Sequence, residues 1–391
     1  MSGAIRGARI LTPDESLETG TVVFDGAGRI TAVGSGAEPA PGIEITDARG
    51  LTLAPGFIDL HVHGGGGFSL ATKDSSEIES YARWVISRGV TGFLATVFAS
   101  DFDEALAFVR AAGYVSDRQH EGGAEILGIN LEGPFVNPQR RGALPELWVR
   151  APNPVELAAL SNASDGSIKL MTLAPELPDA ERLLQIALQD WIVVAIGHTD
   201  ATYEEALGAF EGGASHVTHA FNGMRPFHHR DPGPVLAAID SPHVTLELIA
   251  DGVHLHPATV RAIVRAAGSD RITLVSDAVP PAGLGPGVFQ LGTEEARLTA
   301  GRVLLPDGTI AGGASTIDRI VRNVVEWGVA SLPDAIRMAS TVPARVLGLS
   351  ERKGRIVPGY DADLVALDSD LNVAMTWVAG RLVHTRSEHF N

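Results

Sequence analysis

The chain of 391 residues is 45% hydrophobic, with 44 Gly, 23 Pro and no cysteine, which allows a large core with many loops and excludes disulfides, thiolate metal sites and a cysteine nucleophile. Its formal net charge of −17 argues against nucleic acid or an anionic membrane as a general partner, since both are bound through basic surface; a small anion held by a few local cations is still allowed. No apolar run reaches the roughly 18 residues of a membrane span, and Met1-Ser2-Gly3-Ala4-Ile5-Arg6-Gly7 lacks the pattern of a secretory signal, so the expected setting is the cytoplasm.

The first fifty residues read as short strands at 8–11, 21–24 and 29–33, with Asp25-Gly26 as a hairpin turn signal. Residues 363–367, 373–378 and 380–384 have the same character. A small β-sandwich domain is therefore expected from both ends of the chain, residues 1–53 and 349–391. Between them, over 54–348, eight apolar runs recur at 56–60, 92–97, 126–131, 168–173, 191–196, 216–218, 244–249 and 272–275. Continuous apolar runs separated by amphipathic stretches are the pattern of a parallel sheet with crossover helices. Eight of them predict a (β/α)₈ TIM-type barrel. Helical spacing is readable at 75–88, 202–210, 258–267, 316–327 and 332–340.

A barrel of this kind carries its chemistry at the C-terminal ends of its strands. His61 and His63 follow the first run, Glu132 the third, His198 the fifth, His219 the sixth, Asp251 and His254 the seventh, and Asp277 the eighth. One such residue at a strand end is more often a cap than a ligand; for eight on one rim, that explanation has to hold independently at each. The four imidazoles His61, His63, His198 and His219 with Glu132 form a donor set suited to Zn²⁺ or Fe²⁺ rather than to Ca²⁺ or Mg²⁺, which prefer all-oxygen sites. The glycine run 64–67 lacks the strand-loop-helix lysine pattern of a phosphate cradle and is read as a turn.

With these residues in place, the chain resembles the amidohydrolase superfamily and, within it, the family of N-acetylglucosamine-6-phosphate deacetylases. The likeness runs from Pro55-Gly56-Phe57-Ile58-Asp59-Leu60-His61-Val62-His63 to Pro358-Gly359-Tyr360-Asp361-Ala362-Asp363-Leu364-Val365. Its sharper parts are Leu131-Glu132-Gly133-Pro134-Phe135, Gly197-His198-Thr199-Asp200-Ala201, Thr218-His219-Ala220-Phe221-Asn222-Gly223-Met224, Asp251-Gly252-Val253-His254 and Ala311-Gly312-Gly313-Ala314-Ser315-Thr316.

The resemblance implies hydrolysis of the acetyl amide of N-acetylglucosamine 6-phosphate to glucosamine 6-phosphate and acetate, in amino-sugar catabolism or cell-wall sugar recycling. It further implies that Glu132, His198 and His219 hold a divalent metal, that His61 and His63 allow a second ion in the same subunit, that Asp277 is the general base and acid, and that His254 binds substrate and polarises the acetyl carbonyl. Ala143, Asn222, Gly223 and the stretch Ile310, Ala311, Gly312 and Gly313 would contact the sugar phosphate, with Arg230 reaching across from a neighbouring subunit of a homodimer. Leu144, where the family usually has histidine, and the small Ala220 and Gly223 depart from the family pattern and bear on which N-acetylhexosamine is used and whether its phosphate is required. Cyclic-amide hydrolases of the superfamily bridge their metals with a carboxylated lysine at the end of strand four. Here that strand ends Leu173-Ala174-Pro175-Glu176, with Lys169 near its beginning. Glu132 takes the bridging place, which favours the deacetylase over a cyclic-amide hydrolase; an N-acyl-amino-acid hydrolase is the other alternative, and a non-catalytic barrel has no use for the ligand set.

Overall fold

In the strand Val90–Val97 every residue is buried, which is what a parallel sheet covered by helices on its outer face and packed at its centre demands. The computed structural model describes residues 2–13, 15–116, 118, 122–292 and 294–386; the ends of the two terminal β segments, Met1 and 387–391, lie outside it. Eight parallel strands follow one another around the barrel: Phe57–Val62, Val90–Val97, Glu125–Leu131, Ile168–Leu173, Val193–Ile196, His216–Val217, Thr245–Leu248 and Ile272–Leu274. Closure between the last and the first is made by Asp277 N–H donating to His61 O (2.8 Å) and His63 N–H donating to Ala278 O (2.7 Å). The bonds that shut the barrel thus belong to site residues.

The first seven strands are each followed by a helix before the next strand. Ser75–Val85 starts on Asp74, whose carboxylate accepts from Ser76 N–H, and buries Ile78, Tyr81, Ala82 and Val85. Tyr203–Glu211 opens with a capping box between Thr202 and Glu205. The fifth strand begins later than the apolar run implies: Trp191 is 89% exposed with φ 59°, a surface turn ahead of Val193.

The strands of the two chain ends share one eight-stranded mixed sheet wrapped around its own core of Ile5, Ile10, Val22, Leu53, Leu364 and Trp377. Thr52–Pro55 lies in it, parallel to Gly3–Leu11 and antiparallel to Leu364–Leu367, and runs directly into the first barrel strand. A four-stranded antiparallel sheet that the apolar runs did not announce follows the eighth strand: Gly287–Leu291, Glu294–Thr299, Arg302–Leu304 and Ile310–Gly313. Its Ala296, Leu298 and Val303 form a small core with Val279. Its last strand is tied to the barrel mouth by Gly313 N–H to Asp277 O (2.6 Å).

Candidate active site

Three site residues stand where the backbone leaves its ordinary range. His198 (φ 47°), His219 (φ 24°) and Asp277 (φ 48°) all take left-handed conformations just past their strands, at a cost on the order of 1–3 kcal/mol each. Their side chains enter one cluster, His198 and His219 against Glu132 and Asp277 against His61, His63 and His254. Glu132 is the centre: its Oε1 lies 3.0 Å from His198 Nε2, 3.1 Å from His219 Nε2 and 3.4 Å from His61 Nε2, and its Oε2 lies 3.3 Å from His63 Nε2. Asp277 Oδ1 is 3.2 Å from His63 Nε2 and 3.6 Å from His61 Nε2, and its Oδ2 is 3.7 Å from His254 Nε2. All eight residues read from the strand ends are in this cluster or next to it, Asp251 by accepting from His254 Nδ1 at 2.8 Å.

The residues behind the cluster decide which nitrogen each ring presents. His198 Nδ1–H donates to Arg140 O (2.8 Å) and His61 Nδ1–H to Glu247 Oε2 (3.0 Å), leaving both Nε2 lone pairs pointed inward. His198 Nε2 and His219 Nε2 face each other at 3.0 Å, a separation that either a proton on His219 Nε2 or a shared cation bridges. Among the described residues His61 Nε2, His63 Nδ1 and His219 Nδ1 are buried without a hydrogen-bond partner. Two triads, His61/Glu132/His219 and His61/His63/Asp277, each bring their ligand atoms within 4.8 Å of one another. The donor set fits a divalent transition metal. A third acidic group, Glu125/Asp361/Asp363, already holds a cation: Lys353 Nζ lies 2.5 Å from Glu125 and Asp363 and 3.1 Å from Asp361.

Burial alone would raise the Glu132 carboxyl, but the His61 and His63 imidazoles and the hydrogen bonds to His198 and His219 outweigh it and hold the group well below its ordinary range. Asp277 is lowered in the same way: burial opposes, while the His63 hydrogen bond and the neighbouring His61, His63 and His254 rings prevail. For His254 burial works downward, yet the Asp251 hydrogen bond and the Asp277 charge bring it above its ordinary value. Burial pushes His219 down, with repulsion from His198 and His61 adding to it. His61 is drawn up against its burial by Glu247 and Glu132.

A pocket of about 350 Å³ opens above the cluster. Ala143, Asn222, Gly223, His254, Ile310, Ala311 and Gly312 line it, as does Leu144, which is 3% exposed. Gly313 is not in the lining; it is bonded to Asp277 behind it. Asn222 N–H, expected to face an anion, instead donates to His219 O at 3.0 Å because it closes the turn after the histidine. Gly223 has φ +58°, and a Cβ there would sit 2.8 Å from His198 Nδ1, so the small residue makes room for the His198 ring. Arg230 is on an exposed loop, with Nη1 against His229 Nε2 at 2.8 Å, and does not line its own chain's pocket.

Glu247 escaped the sequence reading. It is the one carboxylate inside the apolar run 244–249, wholly buried, and accepts from His61 Nδ1, His216 Nε2 (3.2 Å) and His219 N–H (2.8 Å). An acid in a strand buried on both faces was the available signal. The Trp148 indole, donating to Glu132 O at 2.8 Å, had none.

The model of the Amidohydrolase family matches residues 52–383. The N-acetylglucosamine-6-phosphate deacetylase of Bacillus subtilis is 35% identical over 388 residues, covering 98% of both chains. The N-acetylgalactosamine-6-phosphate deacetylase of Escherichia coli O157:H7 is 34% identical over 385 residues, covering 98% of this chain and 99% of its own. The solved structure of a variant N-acetyl-D-glucosamine-6-phosphate deacetylase from Mycobacterium smegmatis, in complex with N-acetyl-D-glucosamine-6-phosphate, superposes with a TM-score of 0.91 at 33% identity, covering 98% of this chain and all of that one. With a family match across most of its length and relatives of this similarity end to end, the chain belongs to the amidohydrolase family, in the group of the N-acetylglucosamine-6-phosphate deacetylases.

Proposed function

We propose that the chain hydrolyses the N-acetyl amide of N-acetylglucosamine 6-phosphate, giving glucosamine 6-phosphate and acetate. One observation carries the reading: four imidazoles converge on Glu132 while Asp277 and His254 face the same pocket. Glu132, His198 and His219 would hold one divalent cation, Zn²⁺ or Fe²⁺, with His61 and His63 available for a second. When bound, the cation supplies Lewis-acid polarisation and a more acidic water.

The protein's own groups do the rest. Asp277, held ionised by its neighbours, takes the proton of the attacking water at a carboxylate oxygen and returns it to the amide nitrogen, which leaves poorly unless protonated. His254, oriented by Asp251 and kept above its ordinary pKa, offers its Nε2–H to the developing oxyanion. The sugar lies along Ile310, Ala311 and Gly312, where glycine permits close approach. Its phosphate meets Gly223 N–H and Arg230 of a neighbouring subunit, so the working enzyme is a homodimer. A sugar phosphate does not diffuse across a bilayer, which accords with a reaction in the cytoplasm.

A second reading, the C4 epimer N-acetylgalactosamine 6-phosphate as substrate, is favoured by the Escherichia coli relative. Acetate release from both sugar phosphates and from unphosphorylated N-acetylglucosamine, by metal-loaded protein, tests both readings. Turnover of the glucosamine compound in preference to the other two supports the proposal. Metal binding with no hydrolysis of any of the three sinks it.

A further inference from the structure

A second cavity of about 220 Å³ joins the active-site pocket, and the two share His63, Phe98, Ala143 and Ala311 as walls. Away from that junction it runs between Ala99, Phe108, Val279, Leu291 and Leu305. Of the three carboxylates in its lining, Glu77 accepts from Ser69 N–H (2.8 Å) and Glu104 from Ser100 N–H (2.6 Å), and Glu294 stands exposed at the outer end. Its interior is therefore mostly apolar and lies directly behind the reacting centre.

The position of this cavity follows from the amide bond. Asn222, Gly223 and Ile310 line the sugar end of the pocket, while His63 and Phe98, with ring centroids 5.1 Å apart, line the end shared with the cavity. An amide held at Asp277 with its nitrogen toward the sugar turns its acyl carbon toward His63 and Phe98. Two alanines, Ala143 and Ala311, stand at the junction, where larger side chains would close it.

We propose that this cavity is an acyl channel and that the enzyme also hydrolyses N-acyl amino-sugar phosphates with unbranched aliphatic chains of several carbons. The inference rests on the deacetylase reading. The chemistry is unchanged: the oxygen of water bonds to the acyl carbon, the C–N bond breaks, the amine takes its proton from Asp277, and a short fatty acid leaves in place of acetate.

The test is amine release from N-acetyl-, N-propanoyl-, N-butanoyl- and N-hexanoyl-glucosamine 6-phosphate by the metal-loaded enzyme. Burial of each added methylene is expected to lower KM by up to about fourfold. Ala99→Leu and, at a partly buried position, Leu305→Phe fill the channel; both should keep acetyl hydrolysis and lose hexanoyl hydrolysis. If the acetyl compound turns over while the butanoyl and hexanoyl compounds are slower by about 100-fold, the channel is refuted and the deacetylase reading stands. Hexanoyl turnover unchanged in both variants overturns it as well. If no compound in the series reacts, the deacetylase reading falls, and this inference with it.

Discussion

Replacing Glu247 tests whether the buried layer beneath the cluster sets metal affinity. Glu247→Leu keeps much of the side-chain volume but removes the acceptor of His61 Nδ1–H, His216 Nε2–H and His219 N–H. Each donor left unpaired in the interior costs about 1–3 kcal/mol. His61 also loses the partner that keeps its Nε2 lone pair pointed inward, and losing such an outer partner lowers metal affinity about 10- to 100-fold, roughly 1.4–2.7 kcal/mol. Glu247→Gln should fall between the two. Its one carbonyl oxygen can still serve His61 and His219, and His216 can move its proton to Nδ1 and donate to Thr245 Oγ1, 2.6 Å away. Affinity is read by competition with a chromophoric chelator, and thermal melting of the metal-free proteins separates general destabilisation from a loss specific to the site. A Leu variant that melts lower yet binds metal as tightly as the parent would refute the reasoning.

Other perturbations act at different points. Asp277→Asn should lower kcat by about 10²- to 10⁴-fold with the circular dichroism spectrum unchanged; near-normal acetate release would remove Asp277 from its role. In the metal-free cluster Glu247 and Glu132 draw the pKa of His61 up, so proton and cation compete for one nitrogen and metal affinity should weaken as pH falls. The same affinity at pH 6 and pH 8 would contradict this. Lys353→Met takes the ammonium from Asp363, while Arg352 still pairs with Glu125 and Asp361 and Arg29 with Asp361, and should cost about 1–3 kcal/mol in urea unfolding. Because Lys353 is raised above its ordinary value by those carboxylates against the opposing effect of burial, its contribution is complete at neutral pH and is lost only as pH climbs through the elevated folded-state value. A melting curve of the parent that weakens between pH 7 and 9 for want of this cluster would argue otherwise.

The barrel is legible in the sequence because each of its strands must be apolar on both faces, so that runs such as 92–97 stand out in any window. The site is legible for a related reason: His61, Glu132, His198 and Asp277 break those runs with ionisable groups at their ends. The sheet over 287–313 has only one buried face. Glu294–Thr299 alternates exposed and buried positions around Ala296 and Leu298, a weak signal beside neighbouring helices. Glu247 was passed over for the opposite reason, since it lies inside a run that otherwise reads as plain core. The engagement of Asn222 N–H by His219 O is a matter of turn geometry, which side-chain chemistry does not encode.

The strand Thr52–Pro55 pairs with Leu364–Leu367, residue 52 opposite 367 and residue 55 opposite 364, and it leads straight into the strand that carries His61 and His63. At ribosomal speeds of about 5–20 residues per second, the first of these strands waits roughly a quarter of a minute to a minute for its neighbour to be made. During that time the edge facing the missing strand is open to other chains, and the segment leading to the histidine pair is held on one side only, by Gly3–Leu11. A nascent chain halted short of residue 364 should accordingly show a protease-sensitive amino-terminal segment, and metal supplied during synthesis should protect it only once that late strand has emerged.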